Sequence, residues 1–276
     1  MPPATINFWF EFGSPYSMIS ALRLLRALTG QTNPNSEQLQ ALSSCQLPNI
    51  DGVRIVYQPI FLGAVFKASG QQMLPKFQVP AKTKHLLHDV QRTLNLLGCP
   101  GFPSAQPSNW PPNTALAGRM AWMLAQGPAY VCALDKDTNI SAKFEEDERP
   151  VKVLAEFVWR IFESEFITHE DIGDSKVLSR LWDVYVARSA MGSFEIPSGK
   201  RAVELASTNA VKSGFKDCTQ AAIDCKLFGS PSFTTDDGDM YWGNDRLGEA
   251  VAHHRVRHLI NQPHGYCTGS SNSANI

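Results

Sequence analysis

The sequence predicts an α/β fold: a βαβ unit opens the chain, a long all-helical segment follows, and a ββα unit closes it. Three observations carry that prediction. The aromatic, β-forming run Ile6–Phe12 passes through Gly13-Ser14-Pro15 into a helical pattern and then into a second strand. The central residues keep helical periodicity with no strand signal between them. Two short strands then flank Asp236-Asp237-Gly238 and lead into a last helix.

Each element has a local reason. Ile6–Phe12 is rich in β-formers. Ser14 suits an N-cap, and Pro15 fits the first helical position, where its missing N–H costs nothing. Met18, Leu22, Leu25 and Leu28 place apolar side chains at helical spacing through Ser17–Leu28. Thr29–Asp51 is a polar connector with a short helix around Glu37–Ser43. Val53–Pro59 is the second strand, so the sheet begins parallel. Pro75–Pro80 is loop and Gly101–Asn113 a Pro-rich connector. Helices are expected at Ala81–Leu97, Thr114–Gln126, Arg149–Phe166, Ser175–Ala190, Ser198–Ser213 and Asp217–Lys226. Phe228–Thr235 and Met240–Trp242 are strands, and Asp245–Leu259 closes the fold. The plan is a thioredoxin-like βαβ–ββα domain over 1–80 and 217–260, interrupted by a helical insert over 81–216. Residues 261–276 are a flexible polar tail.

Composition narrows the function. The 276 residues are 43% hydrophobic and 18% charged, which is globular. A net charge of −1 gives no bulk field that would draw the chain to nucleic acid or an anionic membrane. No apolar run reaches the ~20 residues a membrane span needs. The six cysteines include no Cys-x-x-Cys, and MPPATINFWF has no basic n-region, so the expectation is a reduced, cytoplasmic protein.

Three stretches carry chemistry. In Ser14-Pro15-Tyr16-Ser17, a helix N-terminus favours an anion, and a cysteine there would be a low-pKa thiolate. A serine instead offers a hydroxyl, either as a plain N-cap or as a donor to the thiolate of a bound thiol cofactor. In Gly229-Ser230-Pro231-Ser232, the proline is either an ordinary edge-strand residue or the site of a cis bond. The cis form would offer the Ser230 backbone to an extended peptide ligand. Asn244 and Asp245 open the last helix as caps, or Asp245 holds a ligand ammonium. The predicted topology brings all three stretches to one end of one sheet.

These residues resemble the 2-hydroxychromene-2-carboxylate isomerases and the kappa-class glutathione transferases, a family with a DsbA-like thioredoxin fold. The resemblance rests on Phe12-Gly13-Ser14-Pro15-Tyr16-Ser17, Phe228-Gly229-Ser230-Pro231-Ser232-Phe233 and Trp242-Gly243-Asn244-Asp245-Arg246-Leu247. It extends through Leu62–Gly70, Pro80-Ala81-Lys82, Pro112-Asn113-Thr114 with Arg119, and Glu156-Phe157 through Asp171-Ile172, in order. It implies a homodimer that binds glutathione. Ser14 would hold the sulfur, Lys82 the glycine carboxylate, and Ser230 the cysteinyl backbone ahead of a cis Pro231. Asn244 and Asp245 would take the γ-glutamyl end. Two departures stand out. Gln71 and Gln72 follow Ser69-Gly70 where the family commonly has asparagine, and the connector Thr29–Asp51 is longer than usual.

The isomerase subgroup implies cis–trans isomerisation of a carbonyl-conjugated double bond by reversible thiolate addition. Lys67 and Asn113 are the residues offered for enolate stabilisation; otherwise they are a solvated lysine and a helix cap. The alternatives are a kappa-like transferase conjugating glutathione to an electrophile, and a glutathione-binding module without catalysis. No metal site is expected: His254 and His258, though spaced i, i+4, fit an ordinary surface helix.

Overall fold

The computed structural model describes residues 4–33, 42–71, 80–104, 111–136, 148–189 and 194–260. Strand β1 spans Ala4–Phe10, β2 Val53–Pro59, β3 Ser232–Thr235 and β4 Met240–Trp242. They form one sheet in the order β2-β1-β3-β4. β2 is parallel to β1, while β3 and β4 run antiparallel to their neighbours. The central β1 alternates its side chains between two helical layers. Ile6, Phe8 and Phe10 join the main core, where Phe8 stacks on Phe233 at 5.5 Å and meets Tyr57 edge-on at 5.4 Å. Trp9 points the other way, into a smaller cluster with Ile60, Val65, Cys218 and Ala222.

Helix α1 (Pro15–Thr29) packs on the β1 core face beside α6 (Glu148–Phe166). Phe12, just past the strand, lies 4.9 Å from Phe162 of α6. The strand was expected at Ile6–Phe12 but ends at Phe10, because the chain turns at once: the Ser14 N–H returns to the Glu11 carbonyl at 3.0 Å. α1 begins and ends as its sequence dictates, with Ser14 as N-cap and Gly30 left-handed at φ 68°. The opposite face of the sheet is covered by α2 (Leu62–Ala68) and α9 (Asn209–Asp224).

The helical segment comprises α3 (Pro80–Leu96), α4 (Ala115–Ala125), α5 (Pro128–Asp135), α6, α7 (Ser175–Trp182) and α8 (Gly199–Leu205). α2 and α5 add two helices beyond those expected. α5 follows Gly127 and starts at Pro128, so its start signal was present. The helix expected over Ser175–Ala190 widens after Trp182 into a π turn, Asp183–Ala187. The break expected between Ser213 and Asp217 falls instead at Ala206–Thr208. There Ser207 Oγ donates to the Val203 carbonyl at 3.0 Å and Thr208 Oγ1 to Leu205 at 2.7 Å. Side chains that bond the backbone locally compete with helix propagation. Of the strand expected at Phe228–Thr235 only Ser232–Thr235 forms, and the Ser230–Pro231 bond just before it is cis. The hairpin turn forms as expected, with Gly238 at φ 89°. A single 3₁₀ turn, Asn244–Arg246, precedes α10 (Leu247–Ile260). The short helix expected at Glu37–Ser43 falls mostly, the Pro75–Pro80 loop almost wholly, and the C-terminal tail over 261–276 wholly outside the described residues.

Both ends of the chain meet on α1. Arg23, fully buried, donates through Nε to the Gln46 carbonyl at 2.7 Å and through Nη1 to the Asn244 carbonyl and Oδ1. Asn244 also accepts from Ser20 Oγ at 3.2 Å and donates to the Ser44 carbonyl at 2.9 Å. Burial pulls the Arg23 guanidinium down to about 10, against the nearby Cys45 and Asp245, which raise it. Removing the Asn244 side chain would strip partners from a buried cation. Asn244→Ala is expected to lower stability by about 3 kcal/mol, read from the urea midpoint; a loss below about 1 kcal/mol would mean that other groups compensate Arg23.

Candidate active site

Ser14 sits at the N-cap of α1, almost fully buried, where its Oγ accepts from the Ser17 N–H at 3.3 Å. The same Oγ donates to the carbonyl of Ser230 at 2.9 Å. Ser17 Oγ pairs with Ser230 Oγ at 2.7 Å. The cis peptide precedes Pro231, so the helix start and the cis-proline bend face each other directly. Further down α1, Ser20 and Arg23 grip Asn244.

Of the residues singled out from sequence, Ser14, Ser230, Pro231, Asn244 and Asp245 therefore lie along one helix face and its partners. Asn244 is buried, with its amide used by Ser20, Arg23 and Ser44. Asp245 is exposed and borders a cavity of about 400 Å³, lined also by Ser43, Gln46, Arg246, Gly248 and Glu249. The long connector thus contributes one wall of that cavity. Lys82 stands exposed in the first turn of α3, and Lys67 is exposed in the last turn of α2. Asn113 accepts from the Ala115 N–H at 3.3 Å, but the N-cap of α4 is Thr114, so the cap expected at Asn113 falls one residue later. No hydrogen bond or ion pair joins Lys67, Lys82 or Asn113 to Ser14, Ser230 or Asp245 among the described residues.

Other contributors lie in stretches quoted from the sequence, but the contacts they make were not expected from it. Gln71 donates through Nε2 to the Phe228 carbonyl at 2.8 Å, tying the chain after α2 to the cis-proline bend. Trp242 is 55% exposed and packs edge-on against Phe228 at 5.0 Å. Gly229 lies beneath that indole: a Cβ there would stand 2.3 Å from Trp242 Nε1, so only glycine fits. Tyr16 donates to Asp89 of α3 at 2.9 Å; burial, then that carboxylate, push its phenol up.

Two acidic residues are buried among the described residues, Glu11 and Glu165. Glu11 Oε2 accepts from the Gly13 N–H at 2.7 Å. Glu165, on α6, is 4% exposed, and its Oε2 has no hydrogen-bond partner. Burial raises the Glu165 carboxyl to about 7. Asp171 and Glu11 add to the rise, and a bond from the Ile172 backbone opposes it. Glu165 had a sequence signal: it occupies a position of the stripe Val158, Ile161, Phe162, Phe166 that faces the core.

Cysteine chemistry is absent from this junction, since positions 14 and 17 are both serine. Burial raises the thiols of Cys99 and Cys132 and pushes Cys218 up to about 12. Among the described residues, Asp236, Asp237 and His254 bring possible metal-ligating atoms within 4.8 Å of one another. His254 Nε2 lies 3.0 Å from Asp236, and Arg257 pairs with Asp237 and Asp239. Arg257 offsets the charge of Asp237 and Asp239, and these contacts tie α10 to the hairpin turn. No helix among the described residues is long and apolar enough to cross a membrane.

The family model of the DsbA-like thioredoxin domain matches residues 5–129. With the sheet, helix start and cis-proline bend described above, the chain has a DsbA-like thioredoxin fold. Among solved structures, a 2-hydroxychromene-2-carboxylate isomerase is similar, with 20% identity, a TM-score of 0.61, and coverage of 93% of this chain and 98% of that one. A putative protein disulfide isomerase from Nitrosomonas europaea is 15% identical, with a TM-score of 0.55 over 94% and 99% of the two chains. A probable DsbA oxidoreductase from Streptomyces coelicolor is 14% identical, with a TM-score of 0.54 over 92% and 90%. No curated protein matches the chain significantly. Identities this low show a shared fold.

The Glu165 carboxyl gives stability a defined pH dependence. Its folded pKa lies above its unfolded value, so its contribution is full below about pH 4.5 and is lost as pH rises through about 7. Glu165→Gln should abolish that loss. The unfolding free energy of the wild type relative to the variant is expected to fall by up to about 3 kcal/mol between pH 4.5 and 8. Parallel stability curves would mean that Glu165 titrates normally.

Proposed function

We propose that this chain is a glutathione-dependent cis–trans isomerase acting on a carbonyl-conjugated double bond. One observation carries the reading: the helix N-terminus that faces the cis-proline bend presents a hydroxyl, Ser14, where a redox protein of this fold would need a sulfur. The raised thiols of Cys99, Cys132 and Cys218 supply no substitute. A borrowed thiol fits the vacancy in the chemistry. A free thiol has a pKa of roughly 8.5, and a helix N-terminus with a hydroxyl donor favours its thiolate.

In this reading the cysteinyl segment of glutathione lies along the Ser230 backbone, and Ser14 turns its hydroxyl from the Ser230 carbonyl to the sulfur. Asp245, exposed beside its cavity, meets the γ-glutamyl ammonium, and Lys82 the glycine carboxylate. The burial of Asn244 makes it the support that positions Asp245. The thiolate adds to the β-carbon of the substrate: a C–S bond forms and the π electrons move to the carbonyl oxygen as an enolate. Rotation about the resulting single bond follows. The enolate then expels the thiolate, restoring the double bond in the trans form with glutathione unconsumed. Lys67 and the Asn113 amide N–H are the donors offered to the enolate oxygen.

Ser14→Ala tests the assignment. Turnover of a cis-enone is expected to fall tenfold or more, at about the scale of a lost oxyanion donor, with glutathione affinity nearly unchanged. The lost cap would cost about 1 kcal/mol of stability. Wild-type turnover in the folded variant would remove Ser14 from the mechanism, and accumulation of a glutathione conjugate would indicate a transferase instead.

A further inference from the structure

Helix α3 runs alongside α1 and reaches past its start. Two cross-links fix their alignment. Near the start of α1, Tyr16 Oη donates to Asp89 Oδ2 at 2.9 Å; near its end, Arg26 Nη1 donates to the Leu97 carbonyl at 2.7 Å. Between these points α1 rises about 15 Å and the chain of α3 about 12 Å, so the two helices run in the same direction and nearly in step. α1 begins at Pro15, directly before Tyr16, whereas α3 begins at Pro80, well before Asp89. The first turn of α3 therefore stands about 10 Å beyond the N-terminus of α1, on the side of Ser14. Lys82, Leu86, Asp89 and Thr93 share one face of α3 at i, i+4, i+7 and i+11. Leu86, Asp89 and Thr93 are partly or fully buried along that face, and Lys82 is exposed because α1 has already ended at its level.

We infer that Tyr16 and Asp89 are a positioning pair: their hydrogen bond sets the lie of α3 so that Lys82 overhangs the Ser14 end of α1 and meets the glycine carboxylate of glutathione. This rests on the glutathione-dependent reading of the site. A phenol two residues from Ser14 is also an obvious donor to the sulfur, but its hydroxyl hydrogen is committed to Asp89. The other oxygen of that carboxylate is held by Arg92, one turn on along α3. Burial, then the bond to Asp89, push the phenol up, so it stays a donor to that carboxylate through the working pH range. Tyr16 thus acts through Lys82 and not on the thiolate. An exposed lysine holds a carboxylate weakly, and only where its helix brings it within reach. The Tyr16–Asp89 bond is the cross-link nearest the overhanging turn, so its loss is felt first at Lys82.

Calorimetry with glutathione and with its glycine amide, which lacks that one carboxylate, tests the pair. The wild type is expected to bind glutathione about fivefold tighter than the amide, the scale of an exposed ion pair. Lys82→Ala should bind both alike. Tyr16→Phe should also lose the preference, to within about twofold, while its affinity for the amide stays at the wild-type level. Asp89→Asn, which keeps an acceptor oxygen for Tyr16, should retain the preference, and Asp89→Ala should lose it. A merely structural role would weaken both ligands together and leave their ratio unchanged. A wild-type ratio in folded Tyr16→Phe would therefore overturn the assignment. So would a changed acidity of the bound thiol in that variant, read from thiolate absorbance, because it would put the phenol on the sulfur. If Tyr16→Phe does not fold, a wild-type ratio in Asp89→Ala overturns it equally. The wild type separates the claims. Binding of neither ligand sinks the cofactor reading and this proposal together, whereas equal binding of both sinks the Lys82 contact and its positioning pair and leaves the cofactor reading standing.

Discussion

A polar stripe buried along one helix holds this structure together at its functional end. Ser14, Ser17, Ser20 and Arg23 recur every three residues on α1, and all four are buried. Buried polar groups need partners, and a helix face cannot supply them to itself. The partners come from distant parts of the chain: Ser230 for the first two serines, Asn244 for Ser20, and Asn244 with Gln46 for Arg23. Satisfying the stripe thus fixes the cis-proline bend, the turn before α10 and the long connector relative to one helix. The apolar core supplies most of the burial, but it is non-directional. The stripe is what sets which carbonyl faces which hydroxyl.

That arrangement also gives the site its electrostatic character. The helix N-terminus faces the bend, and the exposed Asp245 and its cavity lie farther along. Trp242 and Phe228 form an aromatic rim whose close fit over Gly229 tolerates no side chain there. Glu11, in the turn before Ser14, and Glu165, on α6, bury carboxyl groups where a core would ordinarily be apolar. Such a placement costs stability when charged, and burial accordingly raises the Glu165 carboxyl. Structure and chemistry therefore meet at the few residues between Glu11 and Ser17.

The sequence made some of this legible for clear physical reasons. Val53–Pro59 and Met240–Trp242 form as expected because their bounds are marked by turn residues. Ser14 and Pro15 announced the start of α1, because cap and first-turn chemistry is local. The break at Ala206–Thr208 was hidden, since Ser and Thr are tolerated inside helices as often as they end them. α2 was missed because it is seven residues long and has no side-chain cap. Asn244 illustrates the limit best: its identity suggested a cap or a ligand contact, while its burial against Arg23 depends on residues more than two hundred positions away. Glu165 was readable in principle as a carboxylate in an apolar stripe, but its burial was visible only once α6 packed on α1.

The central claim is that this site holds a borrowed thiol, and calorimetric titration of the protein with glutathione beside S-methylglutathione tests it most directly. The account predicts that glutathione binds, and binds tighter than the methylated form, because only the free sulfur can ionise at Ser14. Binding of neither compound, or equal binding of both, would contradict it.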